Sequence, residues 1–249
     1  MFSFVYLVMA QFLLYKARTV QDAQKAIAAG ADIHAGNGYA LYLVASNGHL
    51  EIVRFLLDHG ADIHADEDLA LRAAADSGRL EIVRLLLDRG ADIHAENDCA
   101  LRWAVDHGYL EIVRLLLDRG ADVRVNNDYV LLKAADAGRL EIVRLLLDRG
   151  ADIHAENDCA LRWAVDHGYL KIVRLLLDRG ADVRANDDYA LLEAASAARL
   201  ETAKLLAFSY SRAELLAIQE EINSVTLAKV IACHVPRGAR TKAALRETK

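Results

Sequence analysis

The strongest constraint on the fold of this chain is a repeat of 30 residues. Gly-Ala-Asp recurs at this spacing, beginning at Gly30, Gly60, Gly90, Gly120, Gly150 and Gly180. Versions of LEIVRLLLDRG precede the last five copies, and a second, Ala-rich segment lies about ten residues before each of them. A fixed period of this length predicts an array of stacked structural units, each of which contacts mainly its neighbours.

Each unit is predicted to contain two short helices. In the Leu-rich second helix, Glu81, Arg84 and Asp88 form one narrow polar stripe, and the remaining positions are apolar. A helix that is apolar over most of its circumference must be buried on several sides, which stacking against copies of itself provides. Gly90 then ends the helix, because glycine adopts the left-handed conformation at a helix C-terminus.

The first helix of each unit is rich in alanine, for example at Ala70 and Ala74. Small side chains allow closer packing than leucine does, so the stack should curve and place these first helices along a concave face. An aspartate stands before each first helix and is predicted to be its N-cap. The five predicted caps are Asp68, Asp98, Asp128, Asp158 and Asp188.

The sequence GxLEIVRLLLDRGADIHA resembles the ankyrin repeat over about residues 20–207. The resemblance implies an all-α fold, an ankyrin-type α/α solenoid of about seven helix pairs with helical end caps. An ankyrin repeat has about 33 residues and a T-P-L-H tetrapeptide, whereas this unit is shorter and has Cys-Ala-Leu-Arg at 99–102. Shortened inter-repeat loops should therefore replace protruding hairpins. The 30-residue variant looks like the ankyrin arrays of giant viruses of amoebae, and related arrays occur in intracellular bacteria.

The two ends of the array depart from the consensus. Residues 1–30 are interpreted as an N-terminal capping repeat, 31–207 as ankyrin repeats, 208–234 as C-terminal capping helices and 235–249 as a basic tail. Near the C-terminal end Ala198 replaces a glycine of the other repeats. Ser211 is the predicted cap of one further helix, and Thr226 to His234 is predicted to form another. Such ends should shield the last apolar layers of the stack.

Charge and cysteine content bound the possible partners and compartment. The chain carries a net charge of −6. The tail contributes +4, which leaves −10 on the preceding residues. An acidic body disfavours nucleic acid as a partner, and the tail is interpreted as a solvated terminus.

Three cysteines make no disulfide framework, which favours the cytoplasm or the cytosol of a host. The apolar segment Phe2 to Tyr15 lacks a basic n-region and is short for a membrane span, so no membrane is expected as a partner.

A longer period of 60 residues singles out a candidate binding surface. Residues 78–124 match residues 138–184 at 46 of 47 positions. The functional unit is then two repeats, or the match reflects a recent duplication. In ankyrin-type geometry, each copy places one Arg, one Trp, one Asp and one His on or near the concave face. Further polar and aromatic side chains lie between the two sets and after the second set. The candidate partner-binding residues are Arg102, Trp103, Asp106, His107, Tyr129, Lys133, Arg162, Trp163, Asp166, His167, Tyr189 and Glu193.

Exposed Trp and Arg are the residue types most often found at binding hot spots. The alternative is structural, with each tryptophan only covering the alanine layer of its neighbour. Positions equivalent to the tryptophans carry Ala73, Lys133 and Glu193, so the fold does not require an aromatic side chain there.

The sequence gives no sign of a metal site or of catalysis. His34, His64, His94 and His154 occupy the same turn position in different units, but Arg124 and Arg184 fill it elsewhere, and an arginine cannot replace a metal ligand. Neither a nucleophile motif nor a phosphate loop is present, and no cofactor is expected.

The chain is therefore predicted to be a non-enzymatic adaptor, scaffold or inhibitor that binds a partner protein in its concave groove. The alternatives are an inhibitor of a host-defence enzyme and a self-assembling structural repeat protein; a monomer is expected, with oligomerisation through the end caps as the other outcome.

Overall fold

The computed structural model describes residues 2–222 and 224–233. This part of the chain contains helices and turns but no strand, which confirms the predicted all-α fold class. Within these described residues, sixteen helices follow one another as eight pairs, one pair more than the sequence predicted. His234 and the basic tail lie outside the described residues. None of the described helices has both the length and the apolar character needed to cross a bilayer.

The helix bounds follow the 30-residue period closely. In each pair the odd-numbered helix is the first helix and the even-numbered helix is the second. The bounds are α1 (Phe2–Tyr15), α2 (Val20–Ala28), α3 (Ala35–Asn47), α4 (Leu50–Asp58), α5 (Ala65–Asp76), α6 (Leu80–Asp88), α7 (Ala95–His107), α8 (Leu110–Asp118), α9 (Val125–Asp136), α10 (Leu140–Asp148), α11 (Ala155–Asp166), α12 (Leu170–Asp178), α13 (Ala185–Ser196), α14 (Leu200–Ala207), α15 (Arg212–Ile222) and α16 (Val225–Cys233).

The chain divides into two compact units, unit 1 up to Asn126 and unit 2 from Asn127. In unit 1, α5 packs against α3 and α7 more extensively than α6 packs against α4 and α8. In unit 2, α13 packs against α11 more extensively than α12 packs against α14. The first helices are thus the closely packed layer of each stack, as their alanine content predicts.

The second helices supply most of the large aliphatic core. In α6, Ile82, Val83 and Leu86 are buried, whereas Glu81 and Arg84 are exposed, as the narrow polar stripe predicts. Equivalent residues are buried in α8, α10 and α12. Gly90, which follows the C-cap residue Arg89 of α6, has a φ of 94°, which confirms that a left-handed glycine ends this helix.

The opening turn of α5, α7, α9, α11 and α13, inside the helix bounds given above, differs from the prediction. Three consecutive residues, such as Asp66, Glu67 and Asp68, all have left-handed backbone angles, with φ between 52° and 57°. The same conformation recurs at 96–98, 126–128, 156–158 and 186–188. Each such residue costs about 1 kcal/mol relative to an ordinary conformation, and Asn and Asp tolerate it best.

The predicted N-cap role of the five aspartates is therefore wrong. Asp68 has left-handed backbone angles, with a φ of 57°, instead of the extended backbone of an N-cap. Instead its buried carboxylate accepts a hydrogen bond at 2.8 Å from the backbone N–H of Asp92, in the next repeat. Equivalent bonds join Asp98 to Asp122, Asp128 to Asp152 and Asp158 to Asp182. These aspartates connect one repeat to the next. Asp188, at the end of the series, accepts a hydrogen bond from the Tyr210 hydroxyl instead.

The two ends of the described chain are built differently. Thr19 forms a capping box with Asp22 at the start of α2. At the other end, Ser211 accepts a hydrogen bond from the backbone N–H of Glu214, which confirms the predicted cap of α15. The buried Tyr210 hydroxyl donates to Asp188 and closes the aspartate series. α1, in contrast, exposes apolar side chains and so does not have the shielding outer face expected of a cap.

Candidate functional site

One position of the first helices carries the most variable side chains of the array. At intervals of 30 residues it holds Leu43, Ala73, Trp103, Lys133, Trp163 and Glu193. Ala73 is buried, and the five larger side chains are partly exposed. Both tryptophans are therefore accessible at the surface of their units.

Trp163 lies beside a cation and a second aromatic ring. The Lys133 Nζ atom is 6.0 Å from the centroid of the Trp163 ring and 6.0 Å from that of Tyr129. At these distances the ammonium group interacts with the electron-rich ring faces. Lys133 and Tyr129 belong to α9 and Trp163 to α11, so two successive first helices build this arrangement.

Charged groups continue the arrangement along the same helices. Asp136 lies 3.6 Å from the Lys133 Nζ atom, and its other carboxylate oxygen is 3.7 Å from the His167 Nδ1 atom. His167 also contacts the Trp163 carbonyl oxygen at 3.0 Å, and its ring stacks on Tyr169 with the centroids 5.6 Å apart. We refer to the resulting group as the Trp163 surface; it consists of Tyr129, Lys133, Asp136, Trp163 and His167.

Unit 1 holds a partial copy of this surface around Trp103. His107 contacts the Trp103 carbonyl oxygen at 3.0 Å, lies 3.5 Å from Asp76 and stacks on Tyr109. The position that corresponds to Lys133 is the buried Ala73, and the position that corresponds to Tyr129 is Leu69. The unit 1 copy thus has the histidine and aspartate of the Trp163 surface, whereas its first helix α5 supplies neither the lysine nor the tyrosine.

A second group lies further along unit 2. The Arg162 guanidinium carbon is 5.8 Å from the centroid of the Tyr189 ring, and the Tyr189 hydroxyl donates to Asp166 at 3.2 Å. Burial, followed by the nearby Asp166 carboxylate, raises the pKa of Tyr189. Arg199 donates to Glu193 at 3.2 Å and to the Asp166 carbonyl oxygen at 2.6 Å. Most polar groups of this set are thus already engaged within the chain.

Arg102 and Arg162 also have a structural task that the sequence did not reveal. Each donates two hydrogen bonds to carbonyl groups of the left-handed turn at the start of its own helix. Arg102 bonds to Asn97 at 3.1 Å and to Glu96 at 2.8 Å. Arg162 and Arg72 form the equivalent pairs of bonds. These guanidinium groups satisfy carbonyls that the unusual turn leaves outside helical bonding.

The structure thus brings together Tyr129, Lys133, Trp163 and His167 in one group and Arg162, Asp166, Tyr189 and Glu193 in a second. Trp103 and His107 lie together in unit 1, with Asp106 exposed on the same helix. Sequence reasoning missed Asp136, Tyr169 and Arg199. For Tyr169 and Arg199 the available signal was the alternation of Arg and Tyr directly before successive second helices, at positions 79, 109, 139, 169 and 199. Tyr109 and Tyr169 lie over Gly78 and Gly138, where an added Cβ atom would come within 2.8 Å of the ring.

The histidines of the turn position contact carboxylates. His64, His94 and His154 lie 3.2–3.3 Å from Asp68, Asp98 and Asp158. Within residues 2–222 and 224–233, no three His, Cys, Asp or Glu side chains are grouped so that they could hold a metal ion.

Comparison with known proteins identifies the family. The family model described as "Ankyrin repeats (3 copies)" matches residues 9–97, 101–187 and 131–219. No curated protein matches the chain. The matched segments cover most of the 249 residues and coincide with the stacked helix pairs. The chain therefore belongs to the ankyrin repeat family.

Proposed function

We propose that this protein is a non-enzymatic binding module that holds a partner protein against the first helices of unit 2. Ankyrin repeats are in general protein-protein interaction modules. Their repeated framework leaves the side chains on one face free to vary without loss of the fold. The Trp163 surface is the proposed centre of the contact.

One observation carries the proposal: Trp163 is partly exposed at a position where the fold accepts alanine. A large aromatic side chain that the core does not need, with Tyr129 and Lys133 beside it, is the composition typical of an interface hot spot. Lys133, Asp136 and His167 surround the ring with groups of both signs, as in the polar rim of an interface. The partner should therefore present an apolar or aromatic side chain to Trp163, with polar groups around it.

The acidic charge of the chain supports a protein rather than a nucleic acid as the partner. The resemblance of the 30-residue repeat to arrays of giant viruses of amoebae supports a host protein, and we propose the cytoplasm of such a host as the site of action. In one form of this proposal, the partner is a host-defence enzyme that this protein inhibits by covering its active site.

Affinity capture with matched variants tests the proposal. The full chain is immobilised as wild type, as Lys133→Ala with Trp163→Ala, and as Trp103→Ala, and lysate of the organism that encodes it, or of its host, is passed over each. Quantitative mass spectrometry of the retained proteins should identify a partner that wild type holds and the double variant loses. Removal of two hot-spot side chains costs about 2 kcal/mol or more each, enough to reduce retention at least tenfold.

The Trp103→Ala variant is the matched control, because it removes the same side chain from the copy whose preceding first helix has alanine in place of the lysine. It should retain more of the partner than the double variant. Circular dichroism and thermal unfolding establish that all three proteins have the same helix content. Equal retention by the double variant and by wild type would exclude the Trp163 surface as the contact.

A further inference from the structure

The first helix of the chain has an unusual surface. From Phe2 to Tyr15, α1 contains no charged residue. Among its described side chains, Ala10 and Leu14 are buried against the rest of unit 1. Six large apolar side chains, each about half or more exposed, lie on the remainder: Tyr6, Leu7, Val8, Met9, Phe12 and Leu13. Among the described helices of unit 1, α1 packs extensively on α2 and α3.

A helix that is apolar on both sides requires burial on both sides. In the interior of unit 1, a first helix such as α5 has one first helix on either side, α3 and α7. α1 has only α3, so its exposed apolar face corresponds to the side that another repeat would cover. Tyr6, Met9 and Leu13 on this face follow the spacing of three and four residues with which one helix packs along another.

We propose that α1 packs against α1 of a second copy of this chain. The two uncharged helices would form a two-fold interface in which the same surface faces itself. Lys16 and Arg18 follow directly after α1. An antiparallel arrangement keeps the two pairs of cations apart by roughly the 20 Å length of the helix, whereas a parallel one would bring like charges together.

The exposed area is large enough for such an interface. Half-exposed side chains of this size present roughly 100 Å² each, so six of them present on the order of 600 Å² per chain. One partner helix covers only the part of this surface on its own side, so a symmetric pair would bury less than about 1,200 Å², in the range of weak interfaces. We therefore expect a dimer that forms and dissociates with protein concentration.

The charge of the molecule favours a second copy over a membrane surface as the occupant. Helices that lie on membranes combine an apolar face with a face rich in Lys and Arg, and they bind anionic lipid headgroups. α1 has no basic residue, and the chain carries a net charge of −6, which repels an anionic surface.

Sedimentation velocity on the full chain tests the proposal. Wild type should change from a 27.4 kDa monomer to a species of twice that mass as the concentration rises. Met9→Glu combined with Leu13→Glu should abolish the dimer, because each interface would then bury unpaired carboxylates. Met9→Ala combined with Leu13→Ala, which keeps high helix propensity, should weaken association by roughly tenfold or more.

The control adds the same charge on the neighbouring helix. Gln21 and Gln24 of α2 are exposed, and Gln21→Glu with Gln24→Glu should leave the dimer intact. Circular dichroism of each variant establishes that α1 and the stack are folded. The proposal is overturned if wild type stays monomeric at all concentrations, or if the Met9 and Leu13 variants dimerise as wild type does. It is also overturned if monomeric wild type co-sediments with phosphatidylcholine–phosphatidylserine vesicles.

Discussion

Ala198 has a left-handed backbone, with a φ of 57°, at a position where five other repeats carry glycine. A Cβ atom in this conformation meets the neighbouring carbonyl oxygen, which raises the energy of the folded state. Ala198 is exposed, so no packing depends on its methyl group. The residue is thus one point at which the last repeat is less stable than the consensus.

Ala198→Gly is expected to stabilise the protein by about 1 kcal/mol, since glycine adopts positive φ without a steric cost. The free energy of unfolding in urea measures the effect. Ala197→Gly is the matched control: Ala197 has a φ of −78°, so glycine there should not stabilise. Gly78→Ala should destabilise the protein by more than 1 kcal/mol, because its φ is 71° and the new Cβ atom would lie 2.8 Å from the Tyr109 ring. An Ala198→Gly variant no more stable than Ala197→Gly would contradict this reasoning.

The cysteines differ sharply in environment. Cys99 and Cys159 are buried and Cys233 is exposed. Burial raises the pKa of the Cys99 and Cys159 thiols, with smaller opposing effects from nearby arginines. A raised pKa leaves less of the reactive thiolate at a given pH. Iodoacetamide at mildly alkaline pH should therefore modify Cys233 alone in the native protein and all three in denaturant, as peptide mass spectrometry can measure. Modification of Cys99 at the rate of Cys233 would be contrary to expectation.

At the scale of helices and turns, the sequence predicted most elements and missed the connections between them. The second helices were predictable because LEIVRLLLD has a single way to bury its apolar side chains. The turns were not, because three successive left-handed residues are rare and no periodicity indicates them. Their aspartates bond across to the next repeat, and that partner lies 24 residues further on. The Asn and Asp content of these turns was the available signal.

The candidate site shows the same division. The 30-residue period placed Lys133 and Trp163 at equivalent positions of neighbouring first helices, and the structure brings these side chains together. The hydrogen bonds from Arg102 and Arg162 to their own turns could not be predicted, because they depend on the left-handed conformation. These arginines remain partly exposed, and a partner would meet side chains that are already held in place.

The start of α15 contains a carboxylate that should make the C-terminal helices sensitive to acid. Hydrogen bonds from the backbone and side chain of Ser211, and then from Arg184, lower the pKa of Glu214 to about 2. Because this value lies below that of an unfolded glutamate, about 4.3, the unfolded chain binds more protons. The resulting stabilisation is present near neutral pH and disappears as the pH falls from about 4 to 2.

Glu214→Gln should therefore lower the unfolding temperature at pH 7, and the difference from wild type should vanish near pH 2. Thermal unfolding of both proteins over a pH series measures this difference. Glu201→Gln, in the exposed first turn of α14, provides a comparison at another carboxylate. A difference that is equal at pH 7 and pH 2 would mean that the Glu214 carboxylate does not stabilise α15 through its charge.

At the scale of the whole molecule, two different surfaces are proposed for two different partners. The Trp163 surface lies on α9 and α11 of unit 2 and is proposed to hold a partner protein. The exposed face of α1 lies in unit 1 and is proposed to pair with a second copy. The residues of the two surfaces do not overlap, so variants of Met9 and Leu13 should leave partner capture unchanged, and variants of Lys133 and Trp163 should leave self-association unchanged.

Hydroxyl-radical footprinting of the complex with the captured partner tests the central claim most directly, since Trp and Tyr side chains oxidise readily when solvent reaches them. Phe208, a partly exposed ring after the second helix α14, serves as the reference. The proposed contact predicts that oxidation of Trp163 and Tyr129 falls when the partner binds and that oxidation of Phe208 does not change. Equal oxidation of Trp163 in the free and bound protein, with protection of Phe208, would contradict it.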